Sequence, residues 1–405
     1  MVKKPNFCIG VIGSNYDETI TKYDTFVSVI LQSCKNYYKN KPKGNEMAEI
    51  EREVERIQMN HINDRMSWCN EWLPRSPMKK FESNSIGKLF LAISEFEYIY
   101  NFKIEKEMGL LNILNKHIVD NSSMTCKDGW EFREGASDTL DMLTNYANKF
   151  IIISVSKGSK RINDTLEDLI NAKKCQFELV TNEFEYKNKD EKYTASENSL
   201  FGPSCKYRVF KQSVKEYKRN KNRRVKEKFL HFISKICLDN SYTNDIYIKS
   251  IYVGNRANDL ECILYAEVGI FILDQIDSES LCDVPTADYT LSSDQTCYYI
   301  NSNSDNSINM DTFALKICEL FSIQIVPILD IYSDNIKNSG LKLYENVKRN
   351  IGGIVDIRDY IKVSRKLRYM NSKFSQFRFT GIILLAFSWE DISKLFNISN
   401  NIEKK

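Results

Sequence analysis

The sequence predicts an α/β fold built on a doubly wound parallel sheet, and three observations predict it. Short apolar runs recur along the chain, as at Phe7 to Ile12, Phe150 to Ile153 and Ile248 to Val253. Each of these three is followed closely by polar residues or glycine, the pattern of a buried strand that delivers chemistry at its carboxyl end. Amphipathic stretches separate several of the runs, and strands alternating with helices imply parallel pairing with helices on both faces.

Taken in order, Phe7 to Ile12 is the first strand and runs into Gly13-Ser14-Asn15-Tyr16-Asp17. From about Asp24 to Met124 the pattern turns helical, with a charged stretch at Glu46 to Met59, then Met66, Trp68, Trp72 and a mixed segment from Ile86 to Ile118. This reads as a helical insert the size of a small domain, spanning 25–127. Phe150 to Ser154 is the second strand, Ile162 to Ala172 its following helix, and Phe177 to Thr181 the third strand. The polar segment Lys187 to Ser204 reads as a loop and Val214 to Ile236 as a charged helix. Ile248 to Val253 and Gly269 to Leu273 complete a core of 1–24 and 128–274. A C-terminal extension, 275–405, contains a flexible Ser/Asp/Asn-rich tract at Ser292 to Asn309. Within it, Phe313 to Ile331 is rich in Leu and Ile, and Thr380 to Phe396 forms a strand and helix suited to return to the sheet.

At 405 residues and 42% hydrophobic content the chain can bury a full core and an accessory unit. A formal charge of +3 gives no global field toward nucleic acid or membrane, so any partner is recognised locally. Eleven cysteines lack C-x-x-C pairs or Cys/His ligand spacing, as expected of free thiols in a reducing, cytoplasmic setting. Neither Phe7 to Ile12 nor Phe379 to Phe387 is long enough to serve as a targeting core or membrane span.

Three motifs fall in order at the ends of predicted strands. They are Asn15-Tyr16-Asp17-Glu18-Thr19, then Ser154 closing Phe150 to Ile153, then Gly254-Asn255-Arg256-Ala257-Asn258-Asp259. The first resembles the D-x-D-x-T signature of the haloacid dehalogenase (HAD) superfamily, and the last its G-D-x-x-x-D motif, each with the leading aspartate replaced by asparagine. Asp128-Gly129-Trp130 also resembles the family's approach to its core helix, and the insert resembles a cap placed between motifs one and two. The flavour is that of the phosphoserine phosphatase-like and pyrimidine 5′-nucleotidase-like branch, fungal members included. The resemblance covers about Phe7 to Leu273 and implies a Rossmann-like HAD core.

The resemblance also implies roles. Asn15 stands at the nucleophile's position and Asp17 at that of the acid and base. Thr19 and Ser154 would hold phosphoryl oxygens, and a lysine would neutralise developing charge, for which Lys211 is favoured, with Lys215 close behind. Asn255, Asp259 and Asp17 would surround Mg²⁺, the family's cofactor. An amide is a poor nucleophile and offers a cation only a carbonyl dipole, so Mg²⁺ binding is expected to be weakened or lost. Loss of a nucleophile in other hydrolases costs roughly 10⁴ to 10⁶ in rate.

The expectation is a phosphatase-fold protein with impaired or absent catalysis that binds a phosphorylated small molecule or a protein partner. A working Mg²⁺-dependent phosphatase for a small phosphomonoester and a scaffold that keeps only the fold are the alternatives. Structural readings stand beside the functional ones. Asp17 and Asp259 can be turn-capping acids, and Ser154 can cap the next helix. Trp68 and Trp72 suit the insert's own core. The basic run from Lys215 to Lys228 suits a solvated helix face better than a nucleic-acid stripe, His61, His117 and His231 lack ligand spacing, and Cys8 and Cys262 read as small core hydrophobes.

Overall fold

The computed structural model describes residues 7–22, 84–107, 131–171, 175–183, 185–187, 192–194, 202–217, 246–272, 323–328, 382–386 and 388–396, together with isolated positions at 29–67, 314–318 and 357–365. Trp68, Trp72, Asp128-Gly129-Trp130, the three histidines, the basic run beyond 217 and the tract at 292–309 lie outside these residues.

Among the described residues, seven parallel strands form one sheet. In chain order they are β1 (Phe7–Ser14), β2 (Ala147–Lys157), β3 (Gln176–Asn182), β6 (Ile246–Gly254), β7 (Val268–Ile272), β8 (Gln324–Pro327) and β9 (Ile382–Ala386). Two further strands, β4 (Glu185–Lys187) and β5 (Lys192–Thr194), make an antiparallel hairpin that straddles the start of the segment read from sequence as a loop, Lys187 to Ser204. The order across the sheet is β3-β2-β1-β6-β7-β9-β8, with every pair parallel. The chain winds outward from β1 to β3 and then returns to the other side of β1 with β6. The carboxyl edge between β1 and β6 is therefore the switch point, where open α/β sheets hold their ligands.

Successive side chains of a strand face opposite sides of the sheet, and two apolar clusters follow from that alternation. Phe150 and Ile152 of β2, Ile251 and Val253 of β6, and Ile270 and Ile272 of β7 belong to one cluster. Helices α2 (Ala136–Asn145), α3 (Ser159–Asn171) and α6 (Trp389–Phe396) cover it with Leu140, Leu143, Ile162, Leu166, Trp389 and Ile392. Ile151, Ile153, Tyr252 and Phe271 face the other cluster. There the cover is α1 (Asn84–Glu107), a helix α4 at 203–217 and α5 (Leu260–Tyr265). Burial on both faces explains why the strands read as continuous apolar runs and not as alternating ones.

Helix α1 lies within the segment read from sequence as the helical insert. Its Ile86, Leu89, Phe90 and Ile93, spaced to share one helical stripe, are buried in the same cluster as Val11 of β1 and Tyr252 of β6. The Ser94 hydroxyl accepts the Ser204 backbone N–H at 3.0 Å, tying α1 to the start of α4. At the other end of the chain, β9 fits between β7 and β8, and α6 packs on α2, where the Thr139 hydroxyl donates to the Trp389 carbonyl at 2.8 Å. Cys262 is buried, whereas Cys8 is exposed despite lying on β1. No described helix is long and apolar enough to cross a membrane.

Candidate functional site

The carboxyl ends of β1 and β6 bring Asn15 and Asn255 together. The Asn15 Nδ2 donates to Asn255 Oδ1 at 3.1 Å and to the Asp17 carbonyl at 3.0 Å. Thr19 closes the ring, its hydroxyl donating to Asn255 Oδ1 at 2.7 Å and standing 3.3 Å from Asn15 Nδ2. Asn15 and Asn255 are 4% and 3% exposed and Thr19 is fully buried, so these bonds form away from competing water.

Asp17 and Ser154 meet across β1 and β2. The Ser154 hydroxyl donates to Asp17 Oδ2 at 3.3 Å and accepts the Ser156 backbone N–H at 3.1 Å. Both side chains are buried. The turn after β1 is tight: Thr19 and Ile20 donate their backbone N–H groups to the Tyr16 carbonyl, and Glu18 holds a left-handed backbone with φ of 55°. Glu18 then reaches across to β6. Its carboxylate pairs with the Arg256 guanidinium and lies 3.4 Å from Asn255 Nδ2.

Asp259 sits below this layer, fully buried, with both carboxylate oxygens engaged. Oδ2 accepts the backbone N–H groups of Asn255 and Arg256, while Oδ1 accepts from Lys206 at 2.7 Å and from the Tyr252 hydroxyl at 3.2 Å. Gly254 makes the close fit possible, since a Cβ there would lie 2.3 Å from the Asp259 Cβ. Burial is the largest cause holding the Tyr252 hydroxyl and the Cys262 thiol well above their ordinary ranges. Tyr252 is thus a neutral donor to Asp259, and Cys262 is not an activated thiol.

The lysine at this site is Lys206, not Lys211. Lys206, 1% exposed, donates to Asn15 Oδ1 at 3.0 Å as well as to Asp259. Lys206, Phe210 and Val214 recur every four residues along α4 and form its buried stripe toward the sheet. Phe210 meets the Tyr252 ring edge-on at 4.9 Å and fixes the helix there. Lys211 points elsewhere, its ammonium lying 4.7 Å from the centre of the Tyr207 ring, and Lys215 is exposed. The sequence reading starts this helix at Val214, eight residues beyond Lys206. With the helix starting at 203, the spacing from Lys206 through Phe210 to Val214 is the signal that places Lys206 inward.

The partners fix how both amides are turned. Lys206 can only donate, so Asn15 presents its oxygen there and its NH₂ to the Asp17 carbonyl and to Asn255. Glu18 can only accept when ionised, so Asn255 presents its NH₂ to that carboxylate and its oxygen to Asn15 and Thr19.

No protein-family model matches the sequence, and no curated protein matches it. Solved structures to which the chain is similar include a phospho-aspartyl intermediate analogue of phosphoserine phosphatase, at 16% identity over 67% of this chain and 87% of that one, with a TM-score of 0.32. A phosphoserine phosphohydrolase-like protein from Francisella tularensis is 13% identical over 65% of this chain and 86% of that one, with a TM-score of 0.33. A HAD-hydrolase from Bacillus subtilis bound to magnesium is 13% identical over 67% and 90%, with a TM-score of 0.26.

Proposed function

We propose that this chain is a HAD-like phosphatase-fold protein with impaired or absent turnover, which binds a phosphorylated small molecule or a protein partner. The observation that carries this reading is the state of Asn15. The side chain at the nucleophile's position is a neutral amide, hydrogen-bonded at its oxygen to Lys206 and at its nitrogen to Asp17 and Asn255. A carboxamide held in this way has no anionic oxygen to attack phosphorus. Asp17, in the position of the acid and base, has a hydroxyl partner in Ser154 but no nucleophile to serve.

Mg²⁺ does not fit the oxygens as they stand. It requires near-octahedral oxygen ligation, usually including one or two carboxylates. Here the Asp17 carbonyl and Asn255 Oδ1 already accept N–H groups, and both oxygens of Asp259 are engaged. Among the described residues, no group of three or more His, Cys, Asp and Glu side chains could hold a metal ion.

The test is release of inorganic phosphate from a generic phosphomonoester, comparing the natural chain with the Asn15→Asp plus Asn255→Asp variant in Mg²⁺. The natural chain is expected to stay at the blank while the variant gains activity. Release by the natural chain at the variant's rate would sink the reading.

A further inference from the structure

We propose that the NH₂ group of Asn15, backed by the ammonium of Lys206, takes the place of a divalent cation and closes the site on itself without a metal. This rests on reading positions 15 and 255 as the nucleophile and metal positions of the fold, and it adds what replaces the ion. Without the Asn15 NH₂ group, the side-chain oxygens at 15 and 255 and the carbonyl at 17 would face one another as acceptors, and a divalent cation held there would offset their mutual repulsion. Here one NH₂ group donates to two of those acceptors, at 3.0 Å to the Asp17 carbonyl and at 3.1 Å to Asn255 Oδ1. The remaining oxygen, Asn15 Oδ1, is met by Lys206 at 3.0 Å.

The second asparagine answers to Glu18 as well as to the first. An aspartate at 255 would turn an anionic oxygen toward the Glu18 carboxylate, where Asn255 now presents its NH₂ at 3.4 Å. An aspartate at 15 would set an anionic oxygen against the Asp17 carbonyl and Asn255 Oδ1 with no proton between them. The two amides therefore form a matched donor and acceptor pair: an aspartate at 15 leaves Asn255 Oδ1 facing a like oxygen, and an aspartate at 255 leaves Glu18 facing one.

Stability read against Mg²⁺ tests this, because it does not depend on turnover. The natural chain is expected to melt at the same temperature in EDTA and in millimolar Mg²⁺. Asn15→Asp is expected to melt about 5 °C lower in EDTA and to recover much of that loss when Mg²⁺ is added. Two results overturn the proposal: a natural chain whose melting temperature rises with Mg²⁺, or an N15D variant as stable as the natural chain in EDTA. If N15D does not fold, titration of the natural chain with Mg²⁺ by calorimetry decides the matter, an absence of binding heat supporting the replacement and saturable binding refuting it. The outcome is separable from the reading it rests on. Phosphate release by a chain whose melting ignores Mg²⁺ removes the claim of impaired turnover and leaves the replacement standing. Mg²⁺-stabilised but inactive protein does the reverse.

Discussion

Lys206→Met removes the cation from a fully buried pair, and its cost can be worked out in advance. The Lys206 ammonium lies 2.7 Å from Asp259 Oδ1, with the two side chains 1% and 0% exposed. At that distance and an effective dielectric of 20 the gross attraction is about 6 kcal/mol, most of it offset by the desolvation of both ions. The variant recovers little of that desolvation, because Asp259 stays buried beneath Tyr252 and the backbone of Asn255 and Arg256. It also strips Asn15 Oδ1 of its donor. Breaking a buried pair from one side costs roughly 3–5 kcal/mol, so K206M is expected to lose at least about 3 kcal/mol in chemical denaturation. Lys211→Met gives up a partly exposed contact with the Tyr207 ring and a charge near Glu261, and is expected to cost under about 1 kcal/mol. Adding Asp259→Asn to K206M removes the stranded charge, so the double variant is expected to be more stable than the sum of the single losses by about 2 kcal/mol. A K206M loss below about 1 kcal/mol, or a larger loss for K211M, would refute the assignment of Lys206 to the buried stripe.

Two further outcomes are expected. Burial raises the Glu261 carboxyl from 4.5 to about 7, with the Ser204 hydroxyl and the charge of Lys211 opposing the shift. Between those values the folded chain keeps a proton that the unfolded chain has released, so stability falls as pH rises through the window and levels off above it. The loss amounts to roughly 3 kcal/mol, and Glu261→Gln is expected to abolish this part of the slope when melting is compared at pH near 5 and near 8. At position 18, the left-handed backbone disfavours any side chain, while the pair with Arg256 is about one quarter exposed and contributes little. Glu18→Gly is therefore expected to be more stable than Glu18→Ala by about 1 kcal/mol, and equal stabilities would contradict the strain.

The sheet was legible because each core strand is buried on both faces, so Phe7 to Ile12, Phe150 to Ser154 and Ile248 to Val253 stand out as apolar runs in a polar chain. Asn15, Asp17, Thr19, Ser154, Asn255 and Asp259 stood out through the resemblance of their motifs to the HAD signatures, and each follows a strand end that sheet topology brings to one edge. Lys206 was not. A lysine beside the polar tract before Ser204 looks like surface, and only the helix phase set by Phe210 and Val214 turns it inward. The hairpin of β4 and β5 escaped because its strands of three residues are too short to show a period. The slot of β9 between β7 and β8 escaped because parallel strands joined by long connections carry no turn chemistry to fix their neighbours. The orientation of the two amides depends on partners 240 residues apart in sequence and had no local signature at all.

The indole of Trp389 donates to the Thr19 carbonyl at 2.6 Å, across a sequence separation of 370 residues. That bond sets a timetable for biosynthesis. Residues 15–19 leave the ribosome early, but their turn cannot receive its last donor until α6 has emerged, roughly 20–80 s later at ordinary rates of elongation. Until then β7 has an open edge awaiting β9, the condition in which a nascent sheet is most prone to pair with a neighbouring chain. The last helix thus acts as a latch on the first turn, and a ribosome that stalls short of residue 389 would present a quality-control machinery with an unfinished edge.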